Sequence, residues 1–434
     1  MKFPALTDPA VLAADLRAAR ARANHITADL DGERLFGPLL AIVNPPLWEI
    51  GHVAWFHEYW CLRQRADAEP APSILKGADA LYDSAKVAHD TRWQLLLPTL
   101  QQTRGYANDI MDRVLHRLGR EAESPALQYF VRLSTLHEDM HTEAFHYTRQ
   151  TLGYADPFAA TKAVAATAVR AETTARGDAE FAGGRCMLGA ADDGRFVFDN
   201  EKWAHEITIA PFRMARSALS NAEYRAFVDA GGYARREWWS DAGWAWRTQS
   251  AAQAPHYWIK QEGVWHQRRF DQTRRLADNE PVLHVNWHEA QAYCKFAKRR
   301  LPTAAEWEFA AATSITDGGK RRYPWGDDTP ASGRANLEGN APASVDDYAD
   351  GDSARGCRQM IGNVWEWTAD AFNPYPGFVA DPYKEYSQPW FGTHMELRGG
   401  SFATPRRLIR NTWRNFYMPA RNDIFAGLRT CAVG

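Results

Sequence analysis

Two histidines four residues apart, His137 and His141, sit in Leu136-His-Glu-Asp-Met-His141, inside a segment of helical character. One helical turn separates them, so both imidazoles leave the same face and can reach a single metal ion. A third imidazole, His52, closes the run Pro45-Pro-Leu-Trp-Glu-Ile-Gly-His52. Three nitrogen donors without a thiolate leave an ion with open coordination positions, where chemistry can take place. A lone inward histidine is more often a satisfied core residue, and the i,i+4 pairing lifts His137 and His141 above that reading. His57 and His146 each fall five residues from a triad member and so leave its face, and they are set aside together with His89. Glu138 and Asp139, beside His137, suit either a solvated helix face or partners that fix imidazole tautomers.

Helices must carry these residues. Over the first ~155 residues the pattern predicts four of them: Val11 to Leu30; Trp48 to Arg65 after Pro45-Pro46; Pro98 to Leu118, stopped by Gly119; and a fourth opened by Ser124-Pro125 and closed at Gly153. Helices of this length with short connections predict an antiparallel four-helix bundle. Trp48, His52, Trp55 and Tyr59 form one stripe, and Phe130, Ser134, His137, His141, Phe145 and Thr148 another. Both are largely apolar, so both are expected to face inward, bringing the histidines together. Residues 156–178 are Ala/Thr-rich and read as a linker. From 179 to 434 the texture is short β-prone runs, Gly, Trp and two helical stretches (Asn221 to Asp229, Trp287 to Lys298), which is α+β. The domain boundaries expected are therefore 1–155 and 179–434.

With 434 residues, two domains are the natural expectation. A net charge of −2 gives no electrostatic reason for a nucleic-acid partner or an anionic membrane. No apolar run approaches the ~20 residues that cross a bilayer. The start lacks a signal-peptide core, and five scattered cysteines form no paired framework. Reduced thiols in a cytoplasmic protein are expected. Most of the eighteen tryptophans read as packing, with a minority available to face a cationic ligand.

The second half resembles the sulfatase-modifying-factor domain, the C-type-lectin-like fold of the formylglycine-generating enzymes. The resemblance is carried by Pro281-Val-Leu-His-Val-Asn-Trp287, Arg300-Leu-Pro-Thr-Ala-Ala-Glu-Trp-Glu-Phe-Ala310, Tyr323-Pro-Trp-Gly326, Gly362-Asn-Val-Trp-Glu-Trp367, Arg398-Gly-Gly-Ser401 and Phe425-Ala-Gly-Leu-Arg429. Trp365-Glu366-Trp367 is read as packing. Formylglycine-generating enzymes hold copper with a close cysteine pair near the C-terminus. Here Cys431 is the cysteine in that region, so that activity is not expected. A DinB-like bundle ahead of such a domain resembles the ergothioneine sulfoxide synthases, whose three histidines match His52, His137 and His141. That resemblance implies Fe(II) and O2-dependent attachment of sulfur or selenium to C2 of the hercynine imidazole.

Several positions depart from the ergothioneine pattern. Met140 stands where Gln precedes the second helix histidine, and Asn415-Phe416-Tyr417 replaces Asn-Trp-Asp. Tyr417 cannot meet the amino group of γ-glutamylcysteine as Asp would. Near an expected active-site tyrosine the chain has Tyr375 and Phe378. The loop Leu81 to Trp93, with Arg92, differs from the Arg-rich loop that grips peptide carboxylates. Charge is thus removed from the donor side while the triad is kept. This pattern resembles the selenoneine synthases, which take selenium from a selenosugar. The resemblance implies that Asn415 and Phe416 contact hercynine and that Tyr417 contacts the donor, with Met140, Phe378 and Arg92 also substrate-facing. A thiol donor such as γ-glutamylcysteine or cysteine is the alternative. A non-catalytic lectin-like binding protein is the alternative of another class.

Overall fold

Each long helix of the N-terminal region begins where a capping residue or a proline allows it. In the computed structural model, which describes residues 3–64, 68–159, 175–314, 319–327, 333–339 and 341–434, helix α1 (Pro9–Ile26) follows Asp8, whose carboxylate accepts from the Ala10 N–H. Helix α2 (Pro46–Glu58) starts on a proline, and α4 (Leu100–Arg120) starts on a Thr99/Gln102 capping box. Helix α5 (Pro125–Leu152) starts where the Ser124 hydroxyl accepts from Leu127 N at 3.3 Å. A short helix, α3 (Ala78–Tyr82), lies between α2 and α4 in sequence and was not expected.

Chain contacts divide the protein into two units, one of Met1–Leu152 with Asp193–Phe196 and one of Gly153–Asp192 with Val197–Gly434. In the first, α1 packs on α5 and α2 on α4, with α2 also touching α3 and α5. This is the four-helix bundle expected. Two helices end earlier than the pattern predicts. Helix α1 stops at Ile26 rather than Leu30, because Arg149 donates to the Ile26 carbonyl (3.0 Å) and Arg104 to the Thr27 carbonyl (2.9 Å), capping the end from other helices. Helix α2 stops at Glu58 and continues as a π-helical turn, Tyr59–Arg63. Every residue of α2 but Ile50 is buried, so it is sealed all round and not along one stripe.

The second unit is α+β. One four-stranded sheet has the order β1 (Asp178–Phe181), β4 (Phe212–Ala215), β13 (Cys431–Ala432), β8 (Arg299–Arg300). Another runs β11 (Asn415–Tyr417), β10 (Met395–Arg398), β9 (Trp365–Ala371), β12 (Ala426–Leu428), with β12 parallel to β9 and the other pairs antiparallel. A hairpin of β2 (Gly184–Leu188) and β3 (His205–Ile209) and a three-stranded sheet spanning Trp258 to Arg275 are joined by the two helices expected, Asn221–Asp229 and Trp287–Phe296, and by two that were not, Asp241–Ser250 and Ala304–Ala312, which start on the Ser240 and Thr303 caps. Its core gathers Phe181, Phe212, Met214, Trp307, Cys357, Met360 and Cys431. Glu366, between Trp365 and Trp367, is buried against Arg429 and Trp307, so this segment packs as expected. Most of the linker expected at 156–178 lies outside the described residues.

Candidate metal centre

Helix α2 carries His52 and α5 carries His137 and His141. Their ring centroids lie 4.5–5.2 Å apart, and one nitrogen of each lies within 4.8 Å of the other two. The hydrogen bonds say which nitrogens converge. His52 Nδ1 is 2.8 Å from the Tyr82 carbonyl oxygen and His141 Nδ1 is 2.6 Å from Glu49 Oε1. A carbonyl and a carboxylate only accept, so both Nδ1 atoms carry the proton and both Nε2 atoms keep a lone pair. The Nε2 atoms of His137 and His141 stand 3.3 Å apart. Burial, with the nearby His141 charge second, pushes His52 down to about 3, and burial holds His137 well below its usual value. Neutral imidazoles whose lone pairs converge are a donor set that fits a divalent metal. His52 and His137 are buried, while the His141 side chain keeps 18% of its surface and opens the group to one side.

Packing fixes two of the rings. Trp48 stacks on His52 (4.9 Å, 8°) and Phe56 on His137 (3.7 Å, 8°). The Tyr82 ring packs against Gly51, where a Cβ would come within 2.3 Å of it. Two partners were invisible to sequence reasoning. Glu49 is 92 residues from the histidine it holds, and its only signal is that it is an acid inside an otherwise largely apolar helix. Tyr82 acts through its backbone. Glu138 is neither solvated nor bonded to the triad. It is fully buried, 2.6 Å from Arg20 Nε and 2.9 Å from His57 Nε2. Asp139 is fully buried as well. His57, set aside from the triad, thus serves this neighbouring charge cluster. Met140 is half-buried beside His141. Arg92 is buried, with its guanidinium over Trp48 (3.9 Å) and bonded to Asn44 (2.6 Å) and the Val87 carbonyl (3.2 Å).

The remaining candidates lie in the second unit. Asn415, Phe416 and Tyr417 form β11, paired with Leu397, Glu396 and Met395. Phe416 stacks on Phe372 (4.1 Å, 16°), Phe372 meets Phe391 (4.9 Å), and Phe391 meets Phe378 edge-on (5.1 Å). Phe378 and Phe416 thus belong to one aromatic group. Arg421 lies over the Tyr417 ring at 5.1 Å. Arg414, next to Asn415, covers the rings of Tyr375 (4.1 Å) and Phe372 (4.7 Å).

Residues 15–144 match the DinB superfamily, and residues 164–433 match the Sulfatase-modifying factor enzyme 1-like domain. The chain is 37% identical to a hercynine oxygenase of Mycolicibacterium thermoresistibile, covering 97% of this chain and 94% of the relative. It is 36% identical to a hercynine oxygenase of Mycobacterium tuberculosis, covering 98% and 99%. The chain belongs to the hercynine oxygenase family. A formylglycine-generating enzyme of Streptomyces coelicolor is 34% identical over 58% of this chain and 86% of its own length, so the family shares its second domain with those enzymes. In this member Cys431 is fully buried, and burial pushes its thiol and that of Cys294 up to about 12. Neither thiol is a ready thiolate ligand.

Proposed function

We propose that this chain is a nonheme Fe(II), O2-dependent enzyme that joins selenium from a selenosugar to C2 of the hercynine imidazole. The observation that carries this reading is the convergence of three imidazoles, backed by Glu49 and the Tyr82 carbonyl, in a chain similar over nearly its whole length to hercynine oxygenases. His52, His137 and His141 would hold the iron. When bound, it would supply the redox chemistry linking O2 to the coupling. Joining C2–H to a selenol Se–H removes two protons and two electrons, and O2 is their acceptor. Glu49 and the Tyr82 carbonyl keep the protons on Nδ1, so that Nε2 stays a donor throughout.

The assignment of substrate contacts follows the residue chemistry. Asn415 offers an amide and Phe416 an aromatic face for the trimethylammonium end of hercynine. Tyr417 and Phe378 offer a hydroxyl and a stacking face, which suit a sugar better than a charged peptide. Met140 and Arg92 are the contacts proposed on the helical unit. A thiol donor is the second reading, and the near-full-length similarity to hercynine oxygenases favours it.

One experiment separates these readings. The iron-loaded protein is given hercynine, O2 and equal selenosugar and γ-glutamylcysteine, and the products are weighed by mass spectrometry. A selenium-bearing product is expected, and a product carrying sulfur alone would overturn the donor assignment. No hercynine-dependent O2 uptake with any donor would leave a binding protein. His137→Ala is expected to lose iron and reduce turnover to background, as read by metal analysis and O2 uptake.

A further inference from the structure

His52 and His141 are anchored by different kinds of group. A side-chain carboxylate on the same helix as His52 holds His141. His52 is held by a backbone carbonyl, that of Tyr82. A carbonyl goes wherever its chain segment goes, so the aim of the His52 lone pair depends on where α3 lies. Helix α3 has five residues, far too few to persist without support.

That support comes from α2 and the π-turn that follows it. The Asp79 carboxylate of α3 receives Trp55 Nε1 at 2.7 Å, and both Arg63 terminal nitrogens at 2.7 Å each. The two arginine bonds reach separate oxygens, a planar fork that fixes angle as well as distance. Trp48 Nε1 donates to the Leu81 carbonyl at 2.6 Å, and the Tyr82 ring rests on Gly51. One stretch of chain, from Trp48 to Arg63, therefore presents His52 and also grips the segment that aims it. Asp79 is the side chain of α3 on which three of these bonds meet.

We propose that α3 is a brace for the metal centre and that Asp79 is a positioning residue that sets the orientation of His52. This rests on the reading of His52, His137 and His141 as an iron site. The Asp79 side chain is 46% exposed but Arg63 only 5%, so losing the carboxylate lowers stability as well, and the brace is read from the metal site instead of from melting. Its effect is on the orientation of a ligand two steps away.

Cobalt(II) alone is the probe, titrated anaerobically into the full chain and followed by its visible absorption. Asp79→Asn keeps the shape and removes the charge. It is expected to weaken Co(II) binding about tenfold, the lower end of what outer partners of metal ligands contribute, and to shift the absorption band. Asp109→Asn, an equal charge change on the exposed face of α4, is expected to leave both unaltered. A folded Asp79→Asn protein with native affinity and spectrum, even one melting at lower temperature, overturns the brace. If the native chain shows no saturable Co(II) site that His137→Ala removes, the iron reading itself falls and takes the brace with it. Should Asp79→Asn fail to fold, Arg63→Lys, which breaks the fork and leaves Trp55 beside His52, is read by the same criteria.

Discussion

Arg398, Arg414 and Arg429 of the second unit are each almost completely buried, and each faces a buried carboxylate: Glu308 at 2.7 Å, Glu396 at 2.7 Å and Glu366 at 2.8 Å. In the helical unit His52, His137 and His141 are gathered as closely, yet the nitrogens that face one another carry no opposite charges. The arginines are each paired with a buried carboxylate and build a scaffold. The histidines are matched at the back, through Nδ1 of His52 and His141, and present lone pairs at the front. Buried polarity that is fully paired maintains a shape, whereas polarity paired on one side only is arranged to receive something.

Removing one partner of a matched pair tests the first half of that contrast and has the largest expected effect on stability. Glu366→Gln leaves Arg429 charged and buried, and is expected to lower unfolding free energy by about 3–5 kcal/mol in urea denaturation, with Co(II) affinity retained in whatever remains folded. A stability change under about 1 kcal/mol would mean that this pair behaves like a surface pair.

Glu49→Gln tests the second half. The fold should survive, since Gln still accepts from His141 Nδ1. Metal affinity should drop roughly 10–100-fold, as read by equilibrium titration, because a neutral amide makes the imidazole a weaker donor. An unchanged affinity would reduce Glu49 to packing.

Acid separates the two regions by window, with the smallest effect near neutrality. His52 is depressed to about 3 from 6.5 and His137 is depressed too, both first by burial. Their stabilising contribution is complete above 6.5 and is lost as pH falls toward the folded value. Glu308 is pushed up by burial but brought down further by Lys320 and Arg398, to about 2 from 4.5, so its contribution is lost only between 4.5 and 2. Each of these two histidines should therefore cost the metal-free protein roughly 0.7 kcal/mol between pH 7 and pH 6, before Glu308 titrates. Glu289 and Asp199, raised by burial to about 8 and about 6, gain stability over the same window, so the histidine share is read by difference. A His52→Asn protein whose loss between pH 7 and pH 6 equals that of the native chain would contradict the assignment.

The parts legible in sequence were those with local causes. Pro46 and Pro125 mark helix starts, the i,i+4 spacing of His137 and His141 marks a shared face, and alternating texture marks the α+β half. Distant causes were not legible. The end of α1 is capped by Arg104 and Arg149 from other helices, which no local pattern encodes. Glu49 could be seen as an acid in an apolar helix, but its partner on α5 could not. Tyr82 contributes a backbone oxygen, for which its side chain gives no clue. Glu138, adjacent in sequence to His137, turns instead to Arg20 and His57, because helical neighbours point about 100° apart.

Gly51 sits in the middle of α2, where glycine is about 1 kcal/mol worse than alanine. An engineer seeking a tougher protein would replace it early. The missing methyl is what lets the phenol end of Tyr82 come against the helix. Thermostabilisation of this chain by helix-favouring substitutions should therefore skip position 51, since a sturdier α2 would come with a misaligned His52.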